Sequence, residues 1–270
     1  MGGTPTVPTV SRTAFTLVEL LTVIAVLAVL LSLLLPGLSQ ARQQAQAAAC
    51  GSNLRQVALA NMFYADANRQ AYCPGAADFV TTNLHRWHGA RDRPSQPFDG
   101  SRGPLVPYLG SDMGVRRCPS LRISLADNDP RRFEKNCGGY GYNLAFLGRR
   151  LRKRPTGGYR VRTDLVGAQT EWVRRPARTL MFADSGFVSG GLIEYSFAEP
   201  PYFPTFGVRA DPSIHFRHRN RSANVAWCDG HVDRRRMAFT WSSGLYVGDP
   251  EACDVGWFGK DTENTCFDLD

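Results

Sequence analysis

Residues Phe15–Leu35 read FTLVELLTVIAVLAVLLSLLL, twenty-one residues in which Glu19 is the single charged side chain. As a helix rising 1.5 Å per residue this run is about 32 Å long, matching the ~30 Å hydrocarbon thickness of a bilayer. No other stretch of the 270 residues is comparably long and apolar, so the sequence predicts one membrane crossing. Residues 1–14 carry Arg12 and no acid. By the positive-inside tendency the N-terminus stays cytoplasmic and everything after Leu35 is extracytoplasmic. A secretory signal peptide has an apolar region of roughly 7–15 residues and a small-residue cleavage site. Here the run is longer and Pro36-Gly37 follows it. A plain signal anchor is the alternative reading. Glu19 speaks against it, because a carboxylate within an apolar span is costly and such acids are functional suspects.

The rest of the composition is that of a globular protein. Apolar residues make up 43% and charged residues 21%, which excludes wholesale disorder and a multi-span membrane protein. The net charge is +8, carried almost wholly by Arg, since Lys135, Lys153 and Lys260 are the only lysines. That excess favours acidic partners without choosing among nucleic acid, anionic lipid and protein.

Residues 36–68 continue the helix. The segment SQARQQAQAAACGSNLRQVALANMFYADAN (Ser39–Asn68) is rich in good helix formers. Leu54, Val57, Ala58, Asn61, Met62 and Ala65 approximate the spacing of one helical face. The bland account of that stripe is a helix docked on its own domain. Gly51 weakens the helix locally by about 1 kcal/mol relative to Ala.

Residues 69–270 are punctuated by Gly and Pro and predict one extracytoplasmic β-rich domain with strands and long loops. Thr179–Ala183, Gly191–Phe197 and Ala238–Trp241 are candidate strands, and the basic run Arg149–Arg162 is an exposed turn region. The clearest local signal is SANVAWCDGHVDRR, in which Ala223–Cys228 and His231–Arg235 flank Asp229-Gly230. This predicts a hairpin closed by a type I′ turn. On an ideal second strand His231 and Asp233 share a face, near which Cys228, Asp229 and His215 would gather. The spacing is that of no metal motif and no C-x₂-C pair exists, so no metal is assigned.

All seven cysteines lie beyond the span, where disulfides persist. Cys253 and Cys266 form the most local candidate pair, whereas Cys228 reads as a small buried hydrophobe. No nucleophile-elbow, zincin, P-loop or dinucleotide fingerprint is present. His85-Arg86-Trp87-His88 offers two imidazoles at a spacing useful only on a helix, which this region does not predict. No catalytic residue is named, and the chain reads as a non-enzyme.

The segment Ala14-Phe15-Thr16-Leu17-Val18-Glu19-Leu20 resembles the processing motif of type IV prepilins and type II secretion pseudopilins. The family carries Gly at the position of Ala14. The resemblance implies that a prepilin peptidase cuts between Ala14 and Phe15, that Phe15 is then N-methylated, and that residues 1–14 are a leader. Glu19 would pair with the new amine of a neighbouring helix, and Pro36 matches the family's proline just past the membrane part. The run ARQQAQAAAC-GSNLRQ followed by FYAD is similar to a prepilin-like subgroup with an extended β domain. His218, Asp229, Gly230 and His231 resemble that subgroup's C-terminal signature, with ten residues between His218 and Asp229 where the family has nine.

The implied fold is α+β, a long membrane-spanning helix continuing into an antiparallel β-sheet domain, as in pilins. The implied partners are the peptidase, copies of the chain and other pseudopilins, and inner-membrane assembly machinery. The implied place is the bacterial inner membrane or a pilus-like filament. Likeness to major pseudopilins, which hold calcium in a C-terminal loop, would put a calcium ion on Asp249, Glu251 and Asp254, although no cofactor is otherwise expected. A DNA- or ligand-binding minor pilin using the Arg-rich surface is the alternative function.

Overall fold

The computed structural model describes residues 16–109, 113–123, 125–259 and 264–269. The leader and the Ala14–Phe15 bond lie outside the described residues. The chain divides into two compact units, Met1–Arg42 and Gln43–Asp270.

Within the first unit the helix Leu17–Ala67 begins, with Pro36 inside it. Its large apolar side chains from Leu17 to Leu38 are exposed on every face. A helix that is hydrophobic all round finds its apolar surroundings in something other than water. This part is long and apolar enough to cross a membrane.

In the second unit the same helix carries a stripe. Ala47, Cys50, Leu54, Val57, Ala58, Asn61 and Ala65 are buried at spacings of three and four, and Met62 packs at the edge of the same core. This is the face read from the sequence, extended toward the N-terminus by Cys50 and Ala47. Gly51 does not interrupt the helix. Beyond Ala67 the chain turns through Arg69 and Gln70, both at positive φ, and the Gln70 N–H reaches back to the Ala65 carbonyl at 2.8 Å. That bond satisfies one of the carbonyls a helix end leaves open.

The stripe packs on a four-stranded antiparallel sheet ordered Val232–Arg236, Ser222–Trp227, Leu180–Asp184, Tyr140–Tyr142. Side chains of the sheet divide between two cores. Tyr140, Tyr142, Phe182, Ala226 and Cys228 join the helix. Leu180, Ala183, Ala223, Val225 and Trp227 face Ile214, Trp257 and Phe258 on the other side. Both central strands are buried throughout, and Leu180–Ala183 accordingly reads as a continuous apolar run. Four two-stranded ribbons surround the sheet among the described residues.

Two expected strands are shorter or absent. In Gly191–Phe197 only Leu192–Ile193 forms a strand, paired with Phe187–Val188, and Phe197 makes one isolated parallel bridge with Tyr142. Beyond it the Glu194 carboxylate takes the Asn136 N–H and the Ser196 carbonyl takes the Tyr142 N–H and the Trp87 indole, so the segment bonds across the fold rather than along a ladder. Ala238–Trp241 makes a single bridge, Phe239 to Trp257, and its aromatic rings pack with Trp257 instead. The basic run is a ribbon, Arg150–Lys153 against Tyr159–Thr163, turning at Gly157 and Gly158.

The Asp-Gly hairpin exists, but its turn differs from the expectation. Ala226 pairs with Val232, the Trp227 N–H meets the His231 carbonyl at 3.0 Å, and the Gly230 N–H meets the Trp227 carbonyl at 2.9 Å. The loop is therefore the three residues Cys228-Asp229-Gly230, and only Gly230 is left-handed, with φ +86°. This is the type I turn closed by a glycine bulge, in which Asp229 keeps negative φ. A Cβ on Gly230 would also meet Met62 Sδ at 3.4 Å and Leu59 at 3.7 Å, so the hairpin tip lies against the helix. Gly230→Ala is expected to cost about 1–2 kcal/mol, from the left-handed backbone, with Asp229→Ala costing less. Urea denaturation of the detergent-solubilised chain measures both.

Candidate functional site

The helix start is the first site. Thr16 Oγ1 accepts the Glu19 N–H at 3.2 Å, and Glu19 Oε2 accepts both the Thr16 N–H and the Thr16 hydroxyl at 2.8 Å. The sequence Thr-Leu-Val-Glu is thus a reciprocal capping box. That signal was present in the sequence, and it gives Glu19 a local task besides the intermolecular pairing that the resemblance implies. Phe15 and Ala14 lie outside the described residues.

The C-terminal signature is split by the structure. Asp229, Gly230 and His231 are at the hairpin tip, where His231 Nδ1 lies 2.6 Å from Asp229 Oδ1. His218 is at the other end of the same strand, which at ~3.3 Å per residue places it about 20 Å away. His218 forms a bridge with Ser222 around a three-residue turn, in which Asn220 and Arg221 are both at positive φ. The residues between His218 and Asp229 are therefore this turn, the Ser222–Trp227 strand and Cys228.

His218 instead belongs to a buried polar centre that no spacing in the sequence announces. Asp184 ends its strand with no exposure to solvent. Its Oδ2 accepts the Asn224 N–H at 2.7 Å and lies 3.0 Å from His218 Nε2. Its Oδ1 accepts the Cys50 thiol at 3.1 Å and lies 3.6 Å from Arg217 Nη2. Arg217 Nη2 also donates to the Gly139 and Ser185 carbonyls, both at 2.7 Å. Tyr140 directs its hydroxyl to the Cys50 carbonyl, and the Asn224 amide donates to the Ala47 carbonyl, so the sheet holds this turn of the helix by polar bonds as well as by packing. Cys118 completes the group. It is buried just beyond the turn Met113–Arg116, with its N–H on the Gly138 carbonyl.

The charges in this centre support one another. Burial works to neutralise Asp184, but Arg217 and the His218 bond outweigh it and hold the carboxyl down at about 2. Burial likewise opposes a charge on His218, yet the bond to Asp184 and the neighbouring Cys118 sulfur raise it to about 9. Burial pushes the Cys50 thiol up. The Cys50 hydrogen bond, with Arg217 and His218, draws Cys118 down.

The other expected sites do not converge. Glu251 and Asp254 both grip Arg221, each at 2.7 Å, and Asp249 accepts the Glu251 N–H. Two of the three acids of the expected calcium set are thus paired with one guanidinium. Asp233 takes the Trp227 indole and Arg235, and His215 is buried in another pairing with Val255. Cys253 and Cys266 are both free thiols. Cys253 packs with Val188, Leu192 and Val255, whereas Cys266 packs in the Trp227 and Phe258 core, so the proximity expected from sequence is not realised. Cys228 is buried, as expected of a small hydrophobe. His85 bonds Asp78 at the surface while His88 turns inward to Ser196. Ser196 bridges His88 and Glu134, and Glu134 receives Arg86 in a buried ion pair. With the serine between histidine and acid, the order is not that of a nucleophile–base–orienter relay.

The raised His218 pKa has a stability consequence. An unfolded histidine titrates near 6.5, so the folded chain binds this proton more tightly. The contribution is present in full below pH ~6.5 and is lost as pH rises through about 9. The Asp184 contribution is present above pH ~4 and is lost as pH falls through 2. Denaturation of the full chain in detergent and chelator should show stability falling between pH 6.5 and 9, with a flattened slope in His218→Gln. Comparison with protein-family models, curated proteins and solved structures finds no match to this chain.

Proposed function

We propose that this chain is a structural, non-catalytic pilin-like subunit, a pseudopilin, made as a single-pass inner-membrane protein with its N-terminus in the cytoplasm and its β-rich domain outside. The observation that carries the reading is the helix from Leu17 to Leu38, whose apolar side chains are exposed on every face, starting at the AFTLVEL motif. Such a surface is matched first by lipid and then by other copies of the same helix. Cleavage between Ala14 and Phe15 by a prepilin peptidase leaves a cationic amine beside a chain of packed helices. Glu19 of a neighbouring copy pairs with that amine in low dielectric and sets the axial register. Lipid and packed helices are both apolar, so transfer between them supplies little driving force, and inner-membrane machinery must extract the subunit. Other pseudopilins share the filament.

N-terminal analysis of protein extracted from its native membrane should find methylated Phe15; an intact Met1 overturns the processing route. Glu19→Gln and Glu19→Ala separate pairing from capping, because the glutamine keeps a capping acceptor and loses the charge. Both should abolish crosslinkable filaments. Wild-type assembly by Glu19→Gln would reduce Glu19 to a cap.

One observation favours the second reading, a binding subunit. The ribbon Arg150–Lys153/Tyr159–Thr163 places Arg152 directly opposite Arg160, with Lys153 and Arg162 beside them, on an exposed surface. Like charges opposed across strands are unfavourable without an anion between them. DNA retention that falls steeply with salt and is lost in the double variant Arg152→Ala/Arg160→Ala would support this reading.

A further inference from the structure

We propose that Cys50, Cys118, Asp184 and His218 bind one Zn²⁺, a structural metal that fastens the helix to the sheet. One ligand atom from each lies within 4.8 Å of the others. A zinc tetrahedron with Zn–S of about 2.3 Å and Zn–N or Zn–O of about 2.0 Å has edges of about 3.3–3.8 Å. Closing the cluster on a cation therefore needs inward movements of about 1 Å or less. All four residues are buried, at 0%, 1%, 0% and 6% exposure, and they come from four separate places: the helix, the loop after Arg116, the end of a central strand, and the segment entering the next strand.

The donor set selects the ion. Two thiolates and an imidazole are borderline-soft ligands that suit zinc, whereas calcium needs six to eight oxygens. Electroneutrality agrees. Two thiolates and a carboxylate carry three negative charges, which the cation's two and Arg217's one would balance. Arg217 provides a second, independent pointer. Its side chain is 3% exposed, yet Nε and Nη1 have no hydrogen-bond partner among the described residues, and metal-bound thiolates are acceptors for such donors. Further support surrounds the ligands, as metal sites require. The Tyr140 hydroxyl lies 3.6 Å from Cys50 Sγ, and the Asn224 N–H donates to Asp184. On binding, the thiol protons and any proton on His218 leave to solvent, and no electron is transferred.

The alternative state of the same residues is a Cys50–Cys118 disulfide, and the test separates the two. Full-length protein is extracted from native membranes in detergent. One sample is alkylated without reduction and weighed; another is stripped with chelator and titrated with Co²⁺ or Zn²⁺ alone. The expected results are seven alkylatable thiols after chelation, one Zn²⁺ per chain before it, and a Co²⁺ spectrum with sulfur charge-transfer and tetrahedral d–d bands. Cys118→Ser should weaken Zn²⁺ binding by more than ~100-fold, while Cys228→Ser, a buried cysteine outside the cluster, should leave it unchanged. A Cys50–Cys118 crosslink, no stoichiometric metal, or a Co²⁺ spectrum without thiolate bands overturns the site. The wild-type spectrum decides even if the serine variant does not fold.

Discussion

A carboxylate removed from water must be compensated or it will not stay charged, and the compensation of Asp184 organises the β-rich domain. Desolvation of one such ion costs several kcal/mol. The partners that offset it come from the helix, the neighbouring strand and the segment entering that strand. None of these is near Asp184 in the chain. Their convergence ties the order of the fold to a single charge: remove one partner and the carboxylate is left buried and under-compensated, a worse state than an apolar substitute throughout. The bonds to Ala47 and Cys50 place the helix on the sheet at a defined rotation, which packing of small residues such as Ala47, Ala58 and Ala65 alone would fix less sharply.

The helix Leu17–Ala67 obeys two patterning rules within one element. Up to Leu38 it is apolar on all faces; from Ala47 it is apolar on one. The change falls across Ser39–Gln46, a polar stretch rich in Gln. Each rule names a different solvent. The first half suits an apolar surrounding on every side, the second a sheet on one side and water on the other.

What was legible in the sequence was what short-range periodicity encodes. The span, the Leu54–Ala65 stripe, the Leu180–Asp184 strand and the existence of the Asp-Gly hairpin all follow from neighbours within a few residues. The turn type did not follow, because Asp-Gly serves both the two-residue loop and the three-residue loop with a bulge, and the choice depends on where Trp227 and His231 pair. Gly191–Phe197 was over-read because its polar groups bond to Asn136, Tyr142 and Trp87, which are distant in sequence. The polar centre was invisible for the same reason in stronger form. Cys50, Cys118, Asp184 and His218 have no mutual spacing to recognise, and the sole local hint was an aspartate closing the apolar run TLMFAD.

The bonds between Thr16 and Glu19 carry a consequence for the cleavage proposed above. They close the first turn of the helix using only atoms from Thr16 onward. Were the chain cut before Thr16, as the proposed processing requires, the coil's opening would stay fastened, because every atom that closes it remains on the trimmed side.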